Sequence, residues 1–367
     1  MEEINSVPES RNPAVDVWTA LSETKKPIIM YGMGDGAEKI LNIMDRNGIK
    51  PADFMASDEF VRGHSFRGFR VKKLSEIEEL YGDFIVVICF GSALPEVLDR
   101  IDMIRRKYET YAPDVPVVGD GLFDSDYISD HEFELMQLKS LLADDPSRNC
   151  LDLIMKYRIT GDIGILRSCE TSKQEAFELL NIGTDETYVD LGAYNGDTVE
   201  EFLKYTGKKF KKIYALEPDR RSFSKLRRRL YYISAALLTA KNAAAWNTDT
   251  TLTFYNKAGR SSSLSAGNSG QTRGRGIETE AITVDTLLDG KPATLIKYDV
   301  EGSEREALLG SEQTIRKYKP RLIVSLYHRT GDLVELPLLI NEINPEYRFY
   351  LRHHPYVPAW DTNLYCI

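Results

Sequence analysis

The 367-residue chain has only four cysteines, Cys89, Cys150, Cys169 and Cys366, scattered without a CxxC pair or a metal-ligand spacing. That excludes a disulfide-stapled scaffold and a thiolate metal site, and fits reduced thiols in a cytoplasmic protein. Long apolar runs are missing too. The longest, "FIVVICF" at 84–90, falls far short of the roughly 20 residues that a membrane span needs. The N-terminal "MEEINSVPES" is acidic and polar, without the pattern of a secretory signal. Positive charge is in deficit. A net charge of -9 denies the chain the basic footprint of a general nucleic-acid binder. No repeat of 20–50 residues is present, which excludes solenoids and propellers.

What is there is an ordinary soluble composition, 42% hydrophobic and 28% charged, at a length that favours two or three domains. Residues 1–125 hold an alternating β-α-β pattern and hence a parallel sheet. "PIIMYG" reads as a strand, and Gly32, Gly34 and Ala37 then fit G-x-G-x-x-A at the start of a helix. "DFMASD" is a second strand ending in Asp58, where a dinucleotide fold places its ribose acid. "DFIVVICFG" is a buried strand, and "VPVVGD" is expected to close the unit as another. Residues 126–182 show helical periodicity and read as a connector, with the Ser before "RNCLDLIMKYR" and the Ser before "KQEAFELL" as candidate N-caps. Residues 183–367 are α/β again. Within them "AGRSSSLSAGNSGQTRGRG", 258–276, reads as a loop, either a hairpin connection or a flap over a site.

The chemistry concentrates in this third segment. "VDLGAYNGDT", 189–198, runs from strand through a glycine turn into a helix. Gly192 and Gly196 are too widely spaced for a pyrophosphate cradle, and Asp190 lies within the strand. An acid there suits a cationic ligand without a phosphate chain, such as the sulfonium and ammonium of S-adenosylmethionine. Glu217 ends the strand of "KKIYALEPD", where it can accept both hydrogen bonds of a ribose diol. Asn242, in "TAKNAAAW", stands where it meets an adenine or merely shapes a turn. "ATLIKYDVEGSEREALLG" delivers Asp299 and Glu301 to the end of another strand, either of which could instead cap the following helix. A basic run from Lys208 to Arg229 reads as a solvated helix face or an attraction for an anionic acceptor.

"VDLGAYNGDT", "YALEPD", "VDTLL" and "LIKYDVEGSEREALLGSEQTIRKYKPRLIVSLYH" together resemble the motif series of the FkbM-type S-adenosylmethionine-dependent methyltransferases, in order over about 189–367. The resemblance implies a class I methyltransferase domain, a seven-stranded sheet with one antiparallel strand, and O-methylation of a sugar, glycan or secondary metabolite. It implies that Asp190, Gly192, Asn195 and Gly196 serve the methionine end of the cofactor and Glu217 its ribose, with Asp299 nearest the methyl group. No role is carried onto Tyr194 or Asp197.

An alcohol acceptor must lose a proton, so a base is needed at a strand end. Asp299 or His328 is expected as that base, and His353, beside His354, as a substrate contact. No metal site is expected, because the spacing of Asp299, Glu301 and His328, the one conceivable set, matches no compact ligand motif. The first segment resembles the small nucleotide-binding-type domain of some sugar acyltransferases. That implies a ligand pocket at Gly32, Gly34 and Asp58; the alternative is a Rossmann-like domain used for docking or dimerisation. The acceptor is thus expected to be a small molecule or glycan, free or nucleotide-linked. Two rival functions stay open: an NAD(P)-dependent oxidoreductase acting on a nucleotide-sugar, and a non-catalytic nucleotide-binding scaffold.

Overall fold

The computed structural model describes residues 15–256, 262–265 and 276–367. Near the N-terminus, β1 (Ile28–Tyr31), β2 (Asp53–Met55), β3 (Ile85–Ile88) and β4 (Glu109–Tyr111) form a parallel sheet in the order β2-β1-β3-β4. The helices Asp35–Arg46, Leu74–Tyr81 and Pro95–Lys107 complete the βαβ units. β1 and β3 are buried throughout, which is why their sequences are continuous apolar runs instead of alternating ones. The last strand is not "VPVVGD". β4 precedes it, and prolines at 113 and 116 deny the later segment ladder donors. Residues 116–118 instead cross to the second half of the molecule, where the Val118 N–H donates to the His328 carbonyl at 2.8 Å.

Between the two halves the chain is helical, from Ser125–Asp130 to Lys173–Leu180. Ser172 caps the last helix through the N–H of Glu175. Ser147 is not a cap: Asp144 caps the helix Asp145–Thr160, and the Ser147 hydroxyl serves Leu351 N and Arg352 Nη1 instead. A cap and a residue one turn inside it look alike in sequence when both are polar.

The second half carries β5 (Thr187–Leu191), β6 (Lys212–Leu216), β7 (Leu238–Lys241), β8 (Leu295–Tyr298), β9 (Arg321–Ser325), β10 (Phe349–His353) and β11 (Thr362–Cys366). They form one seven-stranded sheet in the order β10-β11-β9-β8-β5-β6-β7, with β11 antiparallel to both neighbours. From β5 the chain winds one way through β6 and β7, then returns through β8 and β9 on the other side. The carboxyl ends of β5 and β8 are therefore the switch point at which such sheets open a crevice.

A second, four-stranded sheet was not legible beforehand. It comprises Ala243–Ala245, Thr250–Asn256, Ser262–Ser265 and Gly276–Ile282. Of the 258–276 stretch, residues 262–265 are thus a strand and Gly276 begins another; the rest lies outside the described residues. One buried apolar cluster runs through Val86 of the first sheet, Leu151 of the connector and Tyr298 of the large sheet. The connector is core to both halves.

Candidate functional site at the switch point

Gly192 follows β5 with φ +81°, and a Cβ on it would stand 1.9 Å from the carbonyl oxygen of Asp299. The glycine is therefore needed for the tips of β5 and β8 to meet. Gly196, at φ +87°, is the N-cap of the helix Asp197–Tyr205, and a Cβ there would press Leu230 at 3.2 Å. Both glycines have packing reasons of their own, beyond backbone access for a ligand.

Asp190 is fully buried on β5. One carboxylate oxygen accepts from the Thr198 hydroxyl, while Oδ1 has no partner. Burial pushes its pKa up, opposed by the charge of Lys297, which stands directly across from it on β8. At the tip of β6, Glu217 is also buried, and its two oxygens accept from the N–H groups of Tyr194 and Asp219, each at 2.8 Å. Desolvation pushes its pKa up to about 8. This carboxylate and the glycine turn are locked together by Tyr194, which takes φ +45° to present its N–H.

Asn242 does not face an open site. Its amide donates to the carbonyls of Glu217 and Pro218, both at 2.9 Å, so it shapes the turn that carries Glu217. Asn195 accepts from Arg229, on the basic helix Arg220–Arg229, and points to the protein surface with it. The sequence offered the turn reading of Asn242, but the Arg229 contact depends on a separation of 34 residues that no local pattern shows.

Past β8, Asp299 sits among three donors. Its Oδ2 lies 2.8 Å from Lys297 Nζ, and Oδ1 lies 3.0 Å from the Tyr327 hydroxyl and 3.6 Å from His328 Nε2. Burial alone would raise its pKa, but Lys297 and then His328 hold it well below the carboxylate range. Next come Glu301 at φ +54° and Gly302 at φ +90°, two successive left-handed residues. Glu301 caps nothing: its side chain is 44% exposed and its Oε2 lies 3.9 Å from His328 Nε2. Burial of its surroundings pushes its pKa up to about 7. Glu304 is the residue that braces the turn, accepting from Val300 N at 2.8 Å.

His328, just past β9, is almost wholly buried. Its Nδ1 lies 2.9 Å from Glu304 Oε1, off the line of a ring N–H, so Nδ1 completes no hydrogen bond. Burial lowers the imidazole pKa, but Glu304, Asp299 and Glu301 outweigh it and raise it to about 10. Without another cation, His328 is therefore an imidazolium at neutral pH and not the base expected of it.

His353 is also corrected. It is fully buried with Nδ1 on the Thr362 hydroxyl at 3.1 Å, and burial lowers its pKa to about 3. Its neighbour His354 lines a cavity of about 180 Å³ together with Lys173, Glu201, Lys297, Asp299 and Trp360. Strand alternation places one of two adjacent histidines on each face, and the sequence does not say which face is open. His354 is itself engaged, with Nδ1 2.8 Å from Thr171 O and Nε2 2.7 Å from the Tyr365 hydroxyl. The N-terminal half packs behind one wall of this cavity: Gly91 lies so close to Trp360 that a Cβ would stand 2.5 Å from the indole.

In the first half, Gly32 and Gly34 make the expected turn with φ +119° and +145°. Asp58 falls in a short 3-10 turn and is largely exposed, 3.7 Å from Lys73. It borders a cavity of about 400 Å³ with Tyr31, Ser57 and Arg100. The buried acid of β2 is Asp53, at the other end, paired with Lys72 at 2.6 Å.

Residues 190–358 match the family model of the Methyltransferase FkbM domain. The fold is similar to that of a methyltransferase FkbM from Methylobacillus flagellatus KT, with 21% identity and a TM-score of 0.71 over 95% of this chain and 92% of that one. That likeness extends over the N-terminal sheet as well as the seven-stranded one. A fibrillarin from Aeropyrum pernix, with natively bound S-adenosyl-L-methionine, is 11% identical over 53% of this chain and 74% of its own, at a TM-score of 0.33. No curated protein matches the chain.

Proposed function

From the FkbM methyltransferase domain that this chain carries over residues 190–358, we propose that the protein transfers a methyl group from S-adenosylmethionine to a hydroxyl oxygen of a small-molecule or glycan acceptor. The observation that carries this reading is the pair of buried acids at the switch point. Asp190 flanks the glycine turn, and Glu217 is tied to that turn through Tyr194 N. A ribose diol that displaces the two N–H groups from Glu217 would keep its carboxylate hydrogen-bonded. The methionine ammonium and sulfonium would lie toward Asp190 and Asp299, whose negative charge favours them.

The acceptor would occupy the cavity that reaches Asp299. A hydroxyl oxygen there attacks the methyl carbon in line with the C–S bond. The C–O bond forms as the C–S bond breaks, and its electron pair stays on sulfur as S-adenosylhomocysteine. The acceptor's proton goes to a carboxylate. Glu301, half-exposed beside His328 and with its pKa raised to about 7, is better suited than Asp299, which Lys297 and Tyr327 hold as a fixed anion. Alignment of the two reactants supplies much of the remaining rate.

Calorimetric titration with S-adenosylmethionine, S-adenosylhomocysteine and NAD tests the cofactor. Binding of both sulfur ligands, weakened at least tenfold in Glu217→Ala, is expected. Binding of NAD alone would return the chain to the oxidoreductase reading. A radiolabelled methyl donor offered with sugars, glycans and nucleotide-sugars would identify the acceptor, and nuclear magnetic resonance that places the methyl on an oxygen of the product marks O-methylation.

A further inference from the structure

In a chain whose acids outnumber its bases 56 to 47, residues 220–237 contain no acid at all. Arg220, Arg221, Lys225, Arg227, Arg228 and Arg229 all stand exposed on the helix Arg220–Arg229. Leu226 and Leu230 turn the other way, into the core beside Gly196, so the apolar side holds the helix down and the cations are left to solvent. Lys225, Arg227 and Arg228 form no ion pair among the described residues.

Much of this charge works against the fold. Arg220 and Arg221 occupy the first turn, where the helix dipole disfavours positive charge. Lys225 has a like charge one turn away on each side, at Arg221 and at Arg229, and such pairs repel. Only the three arginines of the last turn complement the dipole. Helix stability therefore accounts for half of these cations, whereas a partner of opposite charge accounts for all of them.

The loop after the helix says which partner. Tyr231 is 83% exposed, Tyr232 50% and Leu237 40%, and the two tyrosine rings meet edge to face. A soluble polyanion needs the cations alone. Exposed aromatic and aliphatic side chains beside them gain by leaving water, as at the headgroup layer of an anionic bilayer. There guanidinium groups meet lipid phosphates in their forked geometry. Asn195, Lys225, Arg228 and Arg229 surround an open recess of about 320 Å³, room for such a phosphate. The acidic remainder of the chain is repelled by the same surface, so that contact is oriented through this face.

We infer that the helix Arg220–Arg229 and the loop as far as Leu237 dock on an anionic membrane surface. Arg229 donates to Asn195 Oδ1, and a Cβ on Gly196 would stand 3.2 Å from Leu230, so the docking helix is fastened to the glycine turn. Docking thereby holds that turn beside the bilayer. Resting on the methyl-transfer reading, such a surface serves an acceptor that carries a lipid tail; the docking itself does not depend on that reading.

Sedimentation of the full chain with vesicles tests this. Binding is expected to vesicles of phosphatidylcholine with phosphatidylglycerol, and to be lost on phosphatidylcholine alone and in high salt. Arg228→Glu should weaken it about tenfold. Lys50→Glu, which changes the net charge equally at an exposed site of the first half, should leave it unchanged. Tyr231→Ser should weaken vesicle binding and leave any binding of heparin, a soluble polyanion, as it was. Equal binding to both kinds of vesicle, no binding, or equal losses in Arg228→Glu and Lys50→Glu overturns the docking face. Vesicle binding untouched by Tyr231→Ser gives the face to a soluble polyanion and overturns the membrane. S-adenosylhomocysteine affinity on the same samples separates the two readings: sulfur-ligand binding without vesicle binding leaves methyl transfer standing, and vesicle binding without the sulfur ligand leaves only the docking.

Discussion

Lys297, on β8, puts its Nζ 2.8 Å from Oδ2 of Asp299 just past the strand's end, and lies directly across from Asp190 on β5. A lysine whose flanking residues Ile296 and Tyr298 are fully buried thus serves a buried acid, Asp190, and a partly exposed one, Asp299. Burial alone would lower its pKa, but Asp299 and Asp190 keep it charged.

The first prediction concerns this lysine. Lys297→Met should leave Asp190 without its cation and Asp299 with His328 alone, and destabilise the fold by roughly 3–5 kcal/mol. Urea unfolding at pH 7 measures it. A change under about 1 kcal/mol would show that the acids are neutralised some other way.

Two glycines with positive φ should respond very differently to the same substitution. Gly290, at φ +71°, has nothing within 4 Å of an added Cβ, whereas Gly192 would drive one into Asp299 O at 1.9 Å. Gly290→Ala should cost about 1 kcal/mol, from backbone strain alone. Gly192→Ala should cost about 3 kcal/mol or more and abolish S-adenosylhomocysteine binding. Thermal unfolding of the pair, with calorimetry on whichever folds, makes the comparison; similar losses would sink the packing argument.

Cofactor affinity should depend on pH through Glu217. In the free protein its pKa is about 8, so it is protonated below that value. A ribose diol donates to the carboxylate and favours the ionised form, so binding releases a proton. Affinity for S-adenosylhomocysteine should rise by up to tenfold per pH unit toward pH 8 and level off above it. Glu217→Gln should flatten the profile. A slope that persists in the variant assigns the proton elsewhere.

His353 should make the fold sensitive to acid. Its folded pKa, lowered to about 3 by burial, is below the unfolded value of 6.5. The unfolded chain therefore binds the extra proton between these values, and stability is full above pH 6.5 and falls as pH drops toward 3. At pH 5 the loss from this one group is about 2 kcal/mol. Nearby Asp361 acts against the shift, and His354 is shifted the same way. His353→Gln should unfold with less difference between pH 7.5 and pH 5 than the parent; an identical difference would place the sensitivity in other groups.

Much of this architecture can be read along the chain. Strands β5, β6, β8 and β9 are apolar runs ended by an acid, a glycine turn or a histidine, and each pattern fits within ten residues. Local chemistry suffices there, because a strand end and its turn are neighbours in sequence. The second sheet escaped for the opposite reason. Ala243–Ala245 pairs with Gly276–Ile282, more than 30 residues on, and three alanines carry no alternation of their own.

By itself, the sequence determined the strands of the seven-stranded sheet, that acids crowd their carboxyl ends, and which cofactor chemistry those acids suit. Only the tertiary structure decided how the side chains divide the work. It turned His353 into the core and His354 toward the cavity, closed Asn242 onto its own turn, and set His328 between Glu304, Asp299 and Glu301. Those outcomes depend on which sheet face is covered and on contacts between strand ends distant in sequence. Charge on His328 follows from the same packing: an imidazole's protonation reports the groups around it, and no spacing along the chain encodes their distance.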